Sequence, residues 1–127
     1  MKVALLTAHS RVSPVFETAL TWVLIEATAS KCNICAEKPF IERNEMAMAQ
    51  ELLNGNVEMV ICGAIPYYLE KTLILQGCEV FSFLVGQVND IVEALHLNQL
   101  DSPKFTMPGC QKRKKRENNR LCKYLNS

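Results

Sequence analysis

Two groupings of residues in this chain have types and spacing that could do chemistry. Cys32-Asn33-Ile34-Cys35 has the spacing used by zinc sites and thiol redox motifs, and Cys62-Gly63 stands just ahead of Pro66. A structural zinc site needs a second ligand pair, and no second Cys-x-x-Cys occurs. A thioredoxin-type motif opens a helix, whereas this one reads as part of a strand, on which positions three apart face opposite sides. The two thiols are therefore expected not to converge. Cys62-Gly63 ends a strand before a helix N-terminus, where backbone N–H groups and the helix dipole gather anions in open α/β sheets. The plainer alternative is a small apolar side chain closing a buried strand.

Other catalytic chemistry finds few candidates. The chain has two histidines. His96 reads as decorating the end of the last helix, and His9, in the first loop, is the candidate for binding. The sequence contains no Walker loop, dinucleotide glycine fingerprint, Gly-x-Ser-x-Gly elbow or His-Glu-x-x-His. A two-metal nuclease needs carboxylates at strand ends; the first strand has none, and Asp90 falls on a helix. The expectation is a protein that binds something and is not an enzyme.

The elements that must position these residues follow from periodicity. Lys2 to Ala8 reads as a buried strand opening into the polar loop His9 to Pro14. Trp22 to Thr28 and Lys31 to Lys38 read as a hairpin. Asn44 caps a helix over Glu45 to Leu53 that offers Met46, Ala49, Leu52 and Leu53 to the core and ends at Gly55. Val57 to Cys62 and Glu79 to Leu84 are further strands. Between them a helix begins at Pro66, buries Leu69, Leu73 and Ile74, and stops at Gly77. Val88, Ile91, Val92 and Leu95 have the spacing of a last helix. Strand–helix alternation with short connections implies parallel pairing in this half, so the sheet is mixed.

Composition sets the remaining bounds. At 127 residues, 49% hydrophobic and 21% charged, the chain is one ordinary domain able to bury its own core. No apolar run approaches the ~20 residues that cross a bilayer. The opening apolar run is four residues long and Arg11 follows it, which reads as a first strand and not a signal peptide. Six cysteines without an export signal imply reduced thiols and a cytoplasmic location. The near-neutral total conceals a split. Residues 1–103 hold 6 Lys+Arg against 12 Asp+Glu, and residues 104–127 hold 8 against 1. The expected organisation is an acidic α/β domain over 1–103 and a basic tail over 104–127.

Arg11-Val12-Ser13-Pro14-x-Phe16 after the first strand and Val60-Ile61-Cys62-Gly63-Ala64-Ile65 after the fourth resemble the dinitrogenase iron–molybdenum cofactor biosynthesis family, which includes nitrogenase accessory factors and orange-protein relatives. The order of elements matches over residues 1–97, with Gly77 and Gly86 in place, and Met107-Pro108-Gly109-Cys110 resembles the tail of some members. The resemblance implies a ribonuclease-H-like, three-layer α/β/α fold around a five-stranded mixed sheet, without nuclease activity. It implies a carrier or scaffold for an anionic metal–sulfur cluster containing molybdenum or iron, or a precursor, working with cofactor-assembly proteins. The site would comprise His9, Arg11, Ser13, Cys62 and Gly63, with Cys62 and Cys110 as metal ligands. The chain departs from the family's Ser-Pro-His-Phe-Gly loop, having Val15 for the histidine and Glu17 for the glycine. A second reading makes the protein an interaction module whose run Lys112 to Arg116 attracts an acidic partner or nucleic acid. No aromatic residue interleaves with that run, so base-specific recognition is not expected.

Overall fold

Residues 1–107 are described by the computed structural model, and Cys110, Cys122 and the run Lys112 to Arg116 lie outside them. Strands β1 (Lys2–Ala8), β2 (Arg11–Val12), β3 (Thr21–Ala27), β4 (Cys32–Pro39), β5 (Met59–Ile61) and β6 (Glu79–Phe81) form one mixed sheet. Its order is β4-β3-β1-β5-β6, with β2 paired to β1. The expected five strands are all present, and β2 is a sixth that two residues of sequence could not announce. β3 and β4 form the antiparallel hairpin, while β5 pairs parallel to β1 and β6 parallel to β5.

Helices α1 (Glu45–Asn54), α2 (Tyr67–Leu75) and α3 (Val88–His96) cover both faces. β1 is central and apolar on both sides, as a strand buried between two layers must be. Val3 and Leu5 join the core under α3, with Ile25, Ile61, Phe81, Ile91 and Leu95. Ala4 and Leu6 join the core under α1 and α2, with Trp22, Met48, Leu52, Cys62 and Leu69. This is the three-layer α/β/α arrangement. No helix of the described residues is long and apolar enough to cross a membrane.

Local chemistry explains most boundaries. The Asn44 side-chain oxygen accepts from the backbone N–H groups of Met46 and Ala47 at 2.9 and 3.3 Å, capping α1 as expected. The predicted inner face of α1 is rotated, because Met48 is buried and Met46 is 47% exposed. On α2, Leu69 and Leu73 are buried but Ile74 lies outside. The two parallel strands are shorter than their apolar runs. Cys62 and the Ser82–Leu84 stretch leave the ladder, although Leu84 N–H still bonds to the Cys62 carbonyl at 3.1 Å.

The composition break at Ser102-Pro103 does not coincide with the end of the packed unit. Phe105 is 5% exposed and belongs to the core under α3. Its carbonyl accepts from Val85 N–H at 2.9 Å, and Met107 N–H donates to the Phe83 carbonyl at 3.0 Å. The folded body therefore extends at least to Met107.

Candidate functional site

The carboxyl ends of β1, β5 and β6 open onto one edge of the sheet, and three loops meet there. The first begins with His9 and Ser10, both left-handed (φ 55° and 64°), which turn β1 tightly into β2. Ser10 presents its carbonyl to the first N–H of α3, that of Val88, at 3.0 Å. Val12 is buried under α3, while His9 and Arg11 stay exposed. Arg11 bridges Gln87 through the backbone, which places the residue beside the start of α3.

Past β2 the loop meets the turn after β5. Ala64 N–H donates to the Pro14 carbonyl and Phe16 N–H to the Ala64 carbonyl, both at 2.8 Å. Val15 and Ala64 thereby form a parallel bridge. This approach requires glycine at 63, because a Cβ there would lie 2.3 Å from the Ser13 carbonyl oxygen and 2.5 Å from that of Pro14. On its other side the Gly63 carbonyl accepts from Phe83 N–H at 2.9 Å. Phe83 is left-handed (φ 63°), uncommon for a bulky residue, and is held by that bond and by Met107. A continuous ladder of backbone hydrogen bonds thus runs along the edge from the first loop through Gly63-Ala64 and Phe83 to Met107.

The five residues expected to form the site come together here, but in different roles. His9 and Arg11 are exposed at the rim. Ser13 is fully buried and spends its hydroxyl on the Val15 carbonyl (2.8 Å) and Thr18 Oγ1 (3.0 Å), which fixes the loop from within. Cys62 is also fully buried, on the α1 and α2 side of the sheet. To act as a ligand the thiol would have to leave the core. Gly63 contributes backbone only, and its neighbour's N–H is already committed to Pro14.

The other described cysteines lie elsewhere. Cys32 and Cys35 are on the edge strand β4, where the pairing steps from Leu24–Ala36 to Ile25–Ile34 and leaves Cys35 as the extra residue of a bulge. Cys32 is half-buried under α3 and burial raises its thiol pKa; Cys35 is exposed. His96 is exposed and lines a shallow groove with Lys31 and Cys32. Cys78 is buried, donates to the Val57 carbonyl at 3.1 Å, and has its pKa raised by burial and by Glu58. No group of three His, Cys, Asp or Glu side chains that could hold a metal ion occurs among the described residues.

Sequence reasoning missed one polar pair next to the site. Glu70 on α2 is 5% exposed and accepts from the Ser82 hydroxyl at 3.3 Å, tying α2 to the end of β6. Its three-residue spacing to the buried Leu73 was the available signal, since such residues share a helix face.

Solved structures share this fold. The protein PH0822 has a TM-score of 0.72 at 13% identity, covering 78% of this chain and 93% of its own. A Methanocaldococcus jannaschii protein provisionally titled a dinitrogenase has a TM-score of 0.61 at 17% identity, covering 78% and 90%. The apo form of the orange protein from Desulfovibrio gigas has a TM-score of 0.61 at 17% identity, covering 77% and 88%. No curated protein sequence matches the chain. Residues 1–98, which contain the six strands and three α-helices of the described residues and every loop of the edge except that reaching Met107, match the dinitrogenase iron-molybdenum cofactor family, and the chain belongs to that family.

Proposed function

We propose that the protein is a non-catalytic carrier or scaffold for an anionic metal–sulfur cluster of the iron–molybdenum cofactor type, or for a precursor, handed between it and cofactor-assembly proteins. Family membership supports the cargo class. The observation that carries the reading is the edge ladder, which leads the chain back to the site at Met107 through its bond to Phe83. Cys110 is three residues further on, within ~10 Å of that anchor at the ~3.3 Å per residue of an extended chain. In this reading Arg11 supplies the cationic hydrogen-bond donor, His9 a rim imidazole and Cys110 the thiolate. Cys62 and Ser13 keep the loops in place and do not touch the cargo. Val15 occupies the position where the resemblance implies histidine and is half-buried beside Ala64.

Anaerobic reconstitution with a thiomolybdate or iron–sulfur donor tests this. The loaded protein should acquire charge-transfer absorption, and Arg11→Ala should weaken uptake about tenfold, the loss of one charge-assisted hydrogen bond at ~1.4 kcal/mol. Cys110→Ser should abolish or shift the band, while Cys62→Ser should leave its position unchanged. Val15→His should tighten binding. A wild-type protein that takes up no cluster from excess donor overturns the carrier reading.

A further inference from the structure

The edge that carries the candidate site is also an uncompensated acidic patch. Glu17 lies in the 3-10 turn directly after the first loop, Glu45 opens α1, and Tyr67 and Tyr68 open α2. Tyr67 is 72% and Tyr68 52% exposed, and Met46, next to Glu45 in the chain, is 47% exposed. The Tyr68 hydroxyl has its pKa raised, first by a hydrogen bond to Glu45, with further contributions from partial desolvation and the charges of Glu45 and Glu17. Nearby Arg43 directs a guanidinium nitrogen to the Ala19 carbonyl at 2.7 Å. Among the described residues neither Glu17 nor Glu45 has a cationic partner, whereas Glu26 lies 4.0 Å from the amino terminus.

The charge that could compensate this patch is in the same chain. Residues 1–107 hold 7 Lys+Arg against 12 Asp+Glu, a net of −5, and residues 108–127 hold 7 against 1, a net of +6. Met107, the last described residue, lies on this edge, bonded to Phe83. From there to the first loop is three hydrogen-bonded steps, from 107 to 83, from 83 to 63 and from 64 to 14, or ~14 Å at the ~4.8 Å spacing of neighbouring strands. Lys112, five residues past Met107, reaches ~17 Å. We propose that the run Lys112-Arg113-Lys114-Lys115-Arg116 docks in cis on the patch of Glu17, Glu45, Met46, Tyr67 and Tyr68, drawing Cys110 across the Gly63–Val15 line. Each exposed pair contributes little, ~0.2–1 kcal/mol, but a short tether raises the effective concentration into the millimolar range. The docking is electrostatic and weakens as the Debye length shrinks with salt. It requires no cargo and stands or falls apart from the carrier reading.

Zero-length carbodiimide cross-linking of the unloaded full-length chain, followed by mass mapping of the monomer, tests it directly. At low salt, Lys112, Lys114 or Lys115 should couple to Glu17 or Glu45, and the yield should fall several-fold at high salt. Limited trypsin digestion gives an independent readout. Cleavage within Lys112–Arg116 should be several-fold slower in the chain than in a free peptide of residues 108–127 at low salt. Glu17→Gln with Glu45→Gln should remove that protection while the thermal melt persists. Glu58→Gln with Glu79→Gln, at the opposite ends of β5 and β6, should retain it. Coupling mainly to Glu58 or Glu79, cleavage as fast as in the peptide, or protection that survives the Glu17 and Glu45 changes overturns the proposal.

Discussion

At Gly63 the fold leaves no space for a single methyl group. The atoms that a Cβ would strike are backbone carbonyls of Ser13 and Pro14, which cannot swing aside as a side-chain end can. Gly63→Ala should therefore cost about 2–3 kcal/mol, at the upper end of overpacking penalties, and the loss is measurable by denaturant unfolding. Gly77→Ala meets nothing within 4 Å and carries only the strain of its φ of 94°, so it should cost less. The buried thiols give a second expectation. Cys78 and Cys32 hold their protons in the folded chain above the ordinary value of 9.0, so the unfolded chain ionises first as the pH rises. Stability should be unaffected below that value and should fall above it, and Cys78→Ala should flatten the decline. At this scale the sequence marked a strand end at Cys62-Gly63 but not the direction of the thiol. Val60 and Cys62 share one face of the strand and Ile61 takes the other, yet both faces are buried, so alternation alone could not say which residue meets a ligand.

Among the elements, the hairpin and the strand–helix alternation were legible because each carries its own periodicity and short connections leave few topologies. Elements that depend on tertiary contacts were not. Residues 103–107 have too few apolar positions for a pattern, and the basic composition just beyond them drew the boundary too early. Phe105 makes the difference measurable. A chain ending at Pro103 loses a buried phenylalanine, a change usually worth ~3–5 kcal/mol, together with the bonds to Val85 and Phe83. Its thermal midpoint should drop by ten degrees or more, taking ~4–8 °C per kcal/mol for a domain of this size. A chain ending at Met107 should keep a cooperative melt close to that of the full length. Equal midpoints for the two truncations would show that Phe105 contributes nothing to the core.

For the molecule as a whole, the described cysteines Cys32, Cys35, Cys62 and Cys78 form no disulfide with one another. Strong reductant should leave the melting temperature unchanged to within a few degrees, since removing a native disulfide typically costs ~2–5 kcal/mol. A large drop would point to a bridge between Cys110 and Cys122 or from one of them to the body. The edge ladder has a further consequence, for the order of events in biosynthesis. Its rungs come from residues 13–16, 62–64, 83–85 and 105–107, so contacts far apart in sequence must all close before the edge exists. A nascent chain cannot build it until Met107 has cleared the ribosome. Any ligand that recognises the whole edge must therefore arrive after residues 105–107 have emerged, and a chain truncated before that point would present an incomplete recognition surface.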